Sequence, residues 1–459
     1  MRASVTVRDA ARRLEGPLLF LERALDVGLH EAVWVRGADE RERLGRVVTI
    51  DERHLTVELL ESGAGLALSE SRVRFPGAPI RLGVGPGMLG RVFNGVGEPI
   101  DGGPAIPVRR YLPIDGRPVN PTRRDMPRDF IETGVTAIDL MNSLVRGQKL
   151  PIFSGGGLPH DRLAVQIAQG ARLRGRGAGD FAIVFAGIGV AFDSAEYFRR
   201  SLEESGALER AVLFLNHASD SSTQRLLTPR FALTAAEHLA FEEGKHVLCI
   251  LTDMTNYCEA LREVSGAKGE VPGRKAFPGY MYSDLATLYE RAGCMRGSPG
   301  TLTQLPILTM PNDDIGHPIP DLTGYITEGQ VVLSRSLDRA RVYPPIEVLP
   351  SLSRLMKDGV GEGYTHPAHP ALASQLYAAY AKSIQARVLA SVVGEDGLAE
   401  SDRRYLAFGL RFERELVGQA GPRTLEQSMA AGWSVLSALP RADLTRLSDA
   451  QIRQHLPEP

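Results

Sequence analysis

Three stretches of the sequence hold residue types that could do chemistry. The first runs Lys149-Leu150-Pro151-Ile152-Phe153-Ser154-Gly155-Gly156-Gly157-Leu158-Pro159-His160-Asp161-Arg162-Leu163. A short apolar run, Ile152-Phe153, enters a glycine-rich turn. The turn opens a helix with apolar residues at Leu163, Ile167 and Ala171, the helical stride. This is the layout of a phosphate-binding loop. In a working loop, G-x-x-x-x-G-K-[ST], backbone N–H groups cradle phosphates, the lysine reaches the outer phosphates and the hydroxyl holds Mg²⁺. Here Ser154 takes the first glycine position and Pro159 the second, while His160 takes the lysine and Asp161 the hydroxyl residue. Gly155, Gly156 and Gly157 keep the turn pliable. Pro159 has no N–H to offer. An imidazole at His160 is not the fixed cation that a lysine is. Asp161 suits a helix N-terminus but repels an anion. The layout survives without its chemistry, and a plain strand-to-helix turn fits the same residues.

The second stretch, His246-Val247-Leu248-Cys249-Ile250-Leu251-Thr252-Asp253, is an apolar run that ends in an acid. P-loop NTPases place a Mg²⁺-coordinating Asp there, and an Asp after a strand is also a common helix cap. The third is Pro350-Ser351-Leu352-Ser353-Arg354-Leu355-Met356, one arginine in an apolar setting. Such an arginine snorkels, pairs with an acid, or reaches for an anion. Asp313, Asp314 and His317 lie between Pro311 and Pro318, and His366 and His369 lie in His-Pro-Ala-His-Pro. Their types suit a metal, but the prolines read as loops.

The elements that must position these residues follow from pattern. Leu55, Val57 and Leu59 alternate with Thr56 and Glu58, after Val47–Ile50 and the polar turn Asp51–His54. With Val33-Trp34-Val35 they predict a small β-barrel or sandwich over residues 1–76. Gly90–Pro104 reads as loop. From about 130 to 350, apolar strands at Phe181–Ala186, Ala211–Leu215, Val247–Leu251 and Pro306–Met310 alternate with helical patterns such as Thr228–Glu243 and Met281–Ala292. That predicts an α/β domain over 77–350 with a parallel sheet covered on both faces, its degenerate loop following the first such strand. Leu372, Leu376, Tyr380, Ile384, Val388 and Val392 recur every fourth residue, and further helices are predicted at about Glu400–Val417 and Thr424–Ala438. Residues 351–459 thus read as a helical bundle whose stripe is packing.

The chain of 459 residues is long enough for two to four domains. Its 43% hydrophobic and 24% charged content is that of a soluble globular protein. A net charge of −2 gives no electrostatic case for nucleic acid or an anionic membrane. The three cysteines lack metal-ligand spacing and fit reduced cytosolic thiols. No run approaches the ~20 apolar residues that span a bilayer. Any membrane association is expected through partners.

Several strings together resemble the B subunit of V-type and archaeal A-type rotary ATPases. They are Gly147–Gly155, Asp253–Glu263, Pro278–Thr287, Met310–Asp314, Ile326–Gln330 and Leu349–Leu355. The resemblance runs over nearly the whole chain and is weakest in the first segment. It implies an N-terminal β-barrel, a central nucleotide-binding α/β domain of the RecA type and a C-terminal helical domain. It implies a ring of three catalytic A and three B subunits around a central shaft, braced by a peripheral stalk, at the cytoplasmic face of a membrane. In that family the B subunit keeps the fold without the catalysis. ATP or ADP with Mg²⁺ sits in the A subunit's site at the A–B interface, and the residue matching Arg354 enters that site as a finger. Catalytic rotary subunits carry Gly-x-Gly-Glu-Arg after the second strand; this chain has Gly187-Ile188-Gly189-Val190-Ala191. The lysine and the water-positioning carboxylate are both missing, and these losses strike binding and chemistry separately. A regulatory subunit that keeps weak ATP binding in its own degraded site is the rival expectation.

Overall fold

A computed structural model describes residues 4–8, 11–23, 26–61, 63–116, 121–174 and 180–456. The ends of the first and last expected segments, 1–3 and 457–459, lie outside them.

The chain opens with seven strands: β1 (Val5–Arg8), β2 (Ala11–Glu15), β3 (Leu18–Glu22), β4 (Ala32–Arg36), β5 (Glu42–Ile50), β6 (His54–Leu59) and β7 (Arg72–Phe75). They form one curled sheet in the order β1-β7-β4-β5-β6-β3-β2, antiparallel at each junction. The β5–β6 turn is closed by Asp51, whose Oδ1 accepts the Arg53 N–H at 2.9 Å and the His54 N–H at 2.6 Å. A short carboxylate reaching its own backbone is why Asp serves in such turns. Leu55, Val57 and Leu59 face one apolar core with Val33, Val35, Val47 and Val73. The other face of β6 is not wholly wet: Glu58 is buried and accepts from Arg46 Nε at 2.8 Å.

The later principal elements are, in chain order, β8 (Val92–Asn94), β9 (Ile152–Gly155), α1 (His160–Gly170), β10 (Phe181–Val190), α2 (Phe192–Glu204), β11 (Ala211–His217), α3 (Ser222–Glu237), β12 (His246–Thr252), α4 (Met254–Ala267), α5 (Met281–Tyr289), β13 (Thr301–Met310), α6 (Pro318–Ile326), β14 (Gly329–Leu333), β15 (Ile346–Ser353), α7 (His369–Val393), α8 (Glu400–Arg411), α9 (Leu425–Leu436) and α10 (Asp449–His455). They fall into two compact units. One holds Met1–Asn120, Ile183–Glu242 and Leu251–Arg291; the other holds Pro121–Ala182, Glu243–Ile250 and Ala292–Pro459.

In the first unit the strand order is β10-β11-β8, all parallel. The loop expected at Gly90–Pro104 contains β8, with Val92 opposite Leu213 and Asn94 opposite Leu215. A three-residue strand is too short to show a period of two. What fixes it is a distant partner: Phe93 stacks on Phe214 at 5.0 Å.

In the second unit the order is β15-β14-β9-β13-β12. β9 lies parallel to β13, with Ile152 opposite Ile307 and Gly155 opposite Met310, and parallel to β14. β14 and β15 are antiparallel and bring Gly329 opposite Ser353. Gly329 has φ +140°, and a Cβ there would lie 2.0 Å from the Leu352 carbonyl oxygen, so only glycine permits this approach. The central strands are buried almost end to end, as a sheet covered on both faces requires.

The helices of residues 369–455 run close to the expected spans. α9 starts with a full capping box, Thr424 with Gln427, and α10 with another, Ser448 with Gln451. Two expectations need correction. His369 is not in a loop: it is the first residue of α7, and Pro370 sits in the first turn, where a missing N–H leaves no bond unmade. The α7 stripe is also not all packing. Leu372, Leu376 and Tyr380 are buried, but Val388 and Val392 are 62% and 78% exposed.

Candidate functional site

The expected phosphate loop forms in its layout. β9 ends at Gly155, Gly157 takes a positive φ of 79°, and α1 begins at His160. Ser154 is fully buried and its hydroxyl meets His160 Nδ1 at 3.1 Å. The same ring nitrogen lies 3.0 Å from the Leu158 carbonyl oxygen. His160 is folded back onto the loop, not extended from it as a phosphate-reaching cation would be. Its other nitrogen is 3.6 Å from Asp161 Oδ1. Pro159 is the N-cap of α1 and supplies no side-chain cap.

The loop's outer face is occupied by an ion pair. Arg335 donates from Nε to Asp313 Oδ2 at 2.7 Å and from Nη2 to Asp313 Oδ1 at 2.9 Å. Nη2 also donates to the Gly156 carbonyl at 2.9 Å. A Cβ built on Gly155 would lie 2.1 Å from Asp313 Oδ1. A carboxylate thus presses on the loop backbone, and Nε and Nη2 of the nearby guanidinium are engaged. These residues do not fit a bound polyphosphate. Asp313 is held by Arg335, and the His317 side chain caps α6, accepting from the Ile319 N–H.

In the other unit, Asp253 is the N-cap of α4, and its Oδ1 accepts the Thr255 N–H at 2.7 Å. Val190, at the position of the catalytic subunits' glutamate, ends β10 and is 7% exposed. The neighbouring Gly189 N–H donates to Asn216 Oδ1 at 2.9 Å, and a Cβ at Gly189 would lie 2.5 Å from Arg225 Nε. A valine there can orient no water.

Arg354 contrasts with the loop. It directly follows β15 and is exposed. Among the described residues its side chain forms no ion pair; its hydrogen bond is a long one, Nη1 to the Thr327 carbonyl at 3.5 Å. It borders a cleft of about 420 Å³ with Met141, Leu352, Lys357 and Tyr377. Its backbone is held firmly, the N–H donating to the Glu328 carbonyl at 2.9 Å. Of the alternatives open to this arginine, pairing with an acid is not seen among the described residues.

A second cleft, of about 610 Å³, is lined by Arg162, Arg341, Arg414 and Arg423 with Tyr343. Among the described residues none of the four guanidiniums pairs with a carboxylate. Arg162 stacks over the Tyr343 ring at 3.7 Å, and Arg423 donates to the Leu416 and Gly418 carbonyls at 3.1 Å. These residues are scattered along the chain, so no local motif announces them.

Among the described residues no group of His, Cys, Asp and Glu could hold a metal, and no helix is long and apolar enough to cross a membrane.

The fold and the loop define a nucleotide-binding domain of the rotary type. The family model for the ATP synthase alpha/beta family, nucleotide-binding domain, matches residues 134–353, and that for the C-terminal domain of V and A type ATP synthase matches 358–456. The chain is 53% identical over 444 residues to a V-type ATP synthase beta chain of Halothermothrix orenii, covering 96% of each. It is also similar to the solved structure of an ATP synthase subunit, NeqB, from Nanoarcheaum equitans. There the identity is 38% and the TM-score 0.74, over 92% of this chain and 100% of that one. The chain belongs to the V-type ATP synthase beta-chain family, whose members are subunits of a rotary ATPase.

Proposed function

We propose that this chain is the non-catalytic B subunit of a proton- or sodium-translocating V/A-type ATPase or ATP synthase. It alternates with three catalytic A subunits around a central shaft, with a peripheral stalk, at the cytoplasmic face of the membrane, and touches the bilayer only through partners. It binds no nucleic acid. Its parts are a β-barrel (1–76), a central α/β domain (77–350) and a helical domain (351–459). ATP or ADP with Mg²⁺ is held by the A subunit at the A–B interface. Arg354 enters that site in trans, where its fork of donors meets phosphate oxygens. The carrying observation is the contrast within the second unit: the chain's own loop is covered by Asp313 and Arg335, while Arg354 is exposed, without an ion pair among the described residues, and fixed at its backbone.

Two results are expected. Titration calorimetry of the isolated chain with Mg-ATP gives no dissociation constant of micromolar or better, a level that corresponds to about −8 kcal/mol. Native mass spectrometry of the chain mixed with an intact A subunit gives alternating hexamers. Obligate contacts of that kind bury on the order of 2,000 Å² or more. A persistent lone monomer in that mixture counts against the reading.

A regulatory subunit that keeps weak nucleotide binding is favoured by one observation, the four arginines beside Tyr343 that pair with no carboxylate among the described residues. They offer charge and a stacking face without any help from the loop. Binding weaker than micromolar in the calorimetric titration, abolished by Arg162→Ala with Arg423→Ala, selects that reading.

A further inference from the structure

Among the described residues Arg354 pairs with no carboxylate, so its direction comes from the segment that it rests on. That segment is Thr327-Glu328, between α6 and β14. Arg354 donates its backbone N–H to the Glu328 carbonyl at 2.9 Å and leans its Nη1 on the Thr327 carbonyl at 3.5 Å. We infer that Glu328, clamped by Lys149 and Gln148, is the positioning residue that sets where Arg354 points. The inference rests on the proposed role of Arg354 in trans.

The clamp has two arms. Lys149 grips both carboxylate oxygens of Glu328, Nζ to Oε1 at 2.9 Å and the backbone N–H to Oε2 at 2.8 Å. Gln148 grips the backbone, its Nε2 donating to the Glu328 carbonyl at 3.2 Å. The same Nε2 donates to Ser353 Oγ at 2.9 Å, one residue before Arg354. Ser353 in turn donates to the Ser143 carbonyl at 2.8 Å, and Gln148 Oε1 accepts the Val145 N–H at 3.0 Å. Gln148, Lys149 and Ser353 are all buried. The residue that carries the finger and the residue that it leans on are tied to one fixed pair of side chains.

Stability does not explain this arrangement. The Lys149 side chain is 6% exposed and that of Glu328 29%. Taking such a pair out of water offsets most of its Coulomb gain, and a well-packed apolar pair would hold the fold as well. What the ion pair adds is direction. It fixes the Thr327-Glu328 peptide, whose two carbonyls are the ones that Arg354 uses.

The test is made in the assembled complex with its catalytic partner. Glu328→Gln keeps the shape but leaves one atom able to accept where there were two. Lys149→Met removes the Nζ contact from the other side and leaves the backbone N–H on Oε2. Each is expected to lower kcat about tenfold, with KM for ATP within twofold, as a displaced catalytic group does. Lys149→Arg, which can still hold both oxygens, is expected to keep at least half of the turnover. The decisive reading comes from adding Arg354→Ala to each variant. A residue that acts only through Arg354 has no further effect once Arg354 is gone. Additive losses, or single variants with parental kcat, overturn the inference and leave the role of Arg354 standing. Parental turnover in Arg354→Ala alone overturns the role of Arg354, and this inference falls with it. Where Glu328→Gln prevents assembly, the same comparison with Lys149→Met decides.

Discussion

Arg354→Ala is expected to leave the complex assembled and to cut its ATP turnover by about 10³–10⁵-fold, or roughly 4–7 kcal/mol, the range for an arginine finger supplied in trans. The side chain is exposed and makes no ion pair among the described residues, so the fold of this chain loses little when it goes. The backbone N–H to Glu328 survives the substitution, because alanine keeps it. The loss therefore falls on whatever the guanidinium meets outside this chain. Charge that develops on phosphoryl oxygens is met best by a planar fork with several donors, always protonated. Arg354→Lys should recover only part of the rate, since a point charge cannot meet two oxygens in one plane. An arginine that merely packs at the subunit contact predicts the opposite pattern, weaker assembly with normal turnover per intact complex. Steady-state turnover of purified mutant complex separates the two, and activity within a few-fold of the parent removes Arg354 from the mechanism.

The layout of the loop was legible because it is local. A strand, three glycines and a helix start lie within a dozen residues, and the substitutions at Pro159, His160 and Asp161 can be read one by one. The reason it is blocked was not legible. Asp313 and Arg335 stand more than 150 residues away in sequence and reach Gly155 and Gly156 because β9 pairs with β13 and with β14. The same holds for the support of Arg354. Gln148, Lys149 and Glu328 lie in strings that carry the family resemblance, but their residue types gave no sign of a clamp. Short strands were missed for a related reason. β8 has three residues and β14 five, too few to show alternation against the glycine and proline around them. At His369 the proline next to the histidine looks like a helix breaker; in the first turn it is a helix starter.

That histidine gives the other large expected effect, a contribution to stability that is lost in mild acid. His369 is fully buried at the start of α7. Its Nε2 lies 3.0 Å from the Leu140 carbonyl oxygen, which can only accept, so Nε2 carries the proton. Nδ1 then accepts from the Thr365 hydroxyl at 3.0 Å. Phe130 packs against the ring edge-on at 6.5 Å. The neutral tautomer is thus satisfied at both nitrogens. Burial, reinforced by His366 and Arg174, pushes its pKa down to about 4, against the opposing pull of the Leu140 carbonyl. The unfolded ring titrates near 6.5. A depressed folded value means that the unfolded state takes up the proton first. The stabilising contribution is therefore full above pH 6.5 and is lost as pH falls from 6.5 through 4. The total is about 3 kcal/mol, of which about 2 falls between pH 6.5 and 5. Asp139 works the other way: burial pushes its carboxyl up to about 7, so the folded state takes up that proton as pH falls through the same interval and gains stability. The His369 effect is therefore read as the difference between the parent and a variant without the imidazole. His369→Gln supplies a donor for Leu140 and an acceptor for Thr365 without a titrating proton. From pH 7 to pH 5 the urea midpoints of the parent chain should fall relative to those of His369→Gln, which keeps Asp139 and lacks the imidazole. Parallel curves for the two would mean that His369 is not the group responsible.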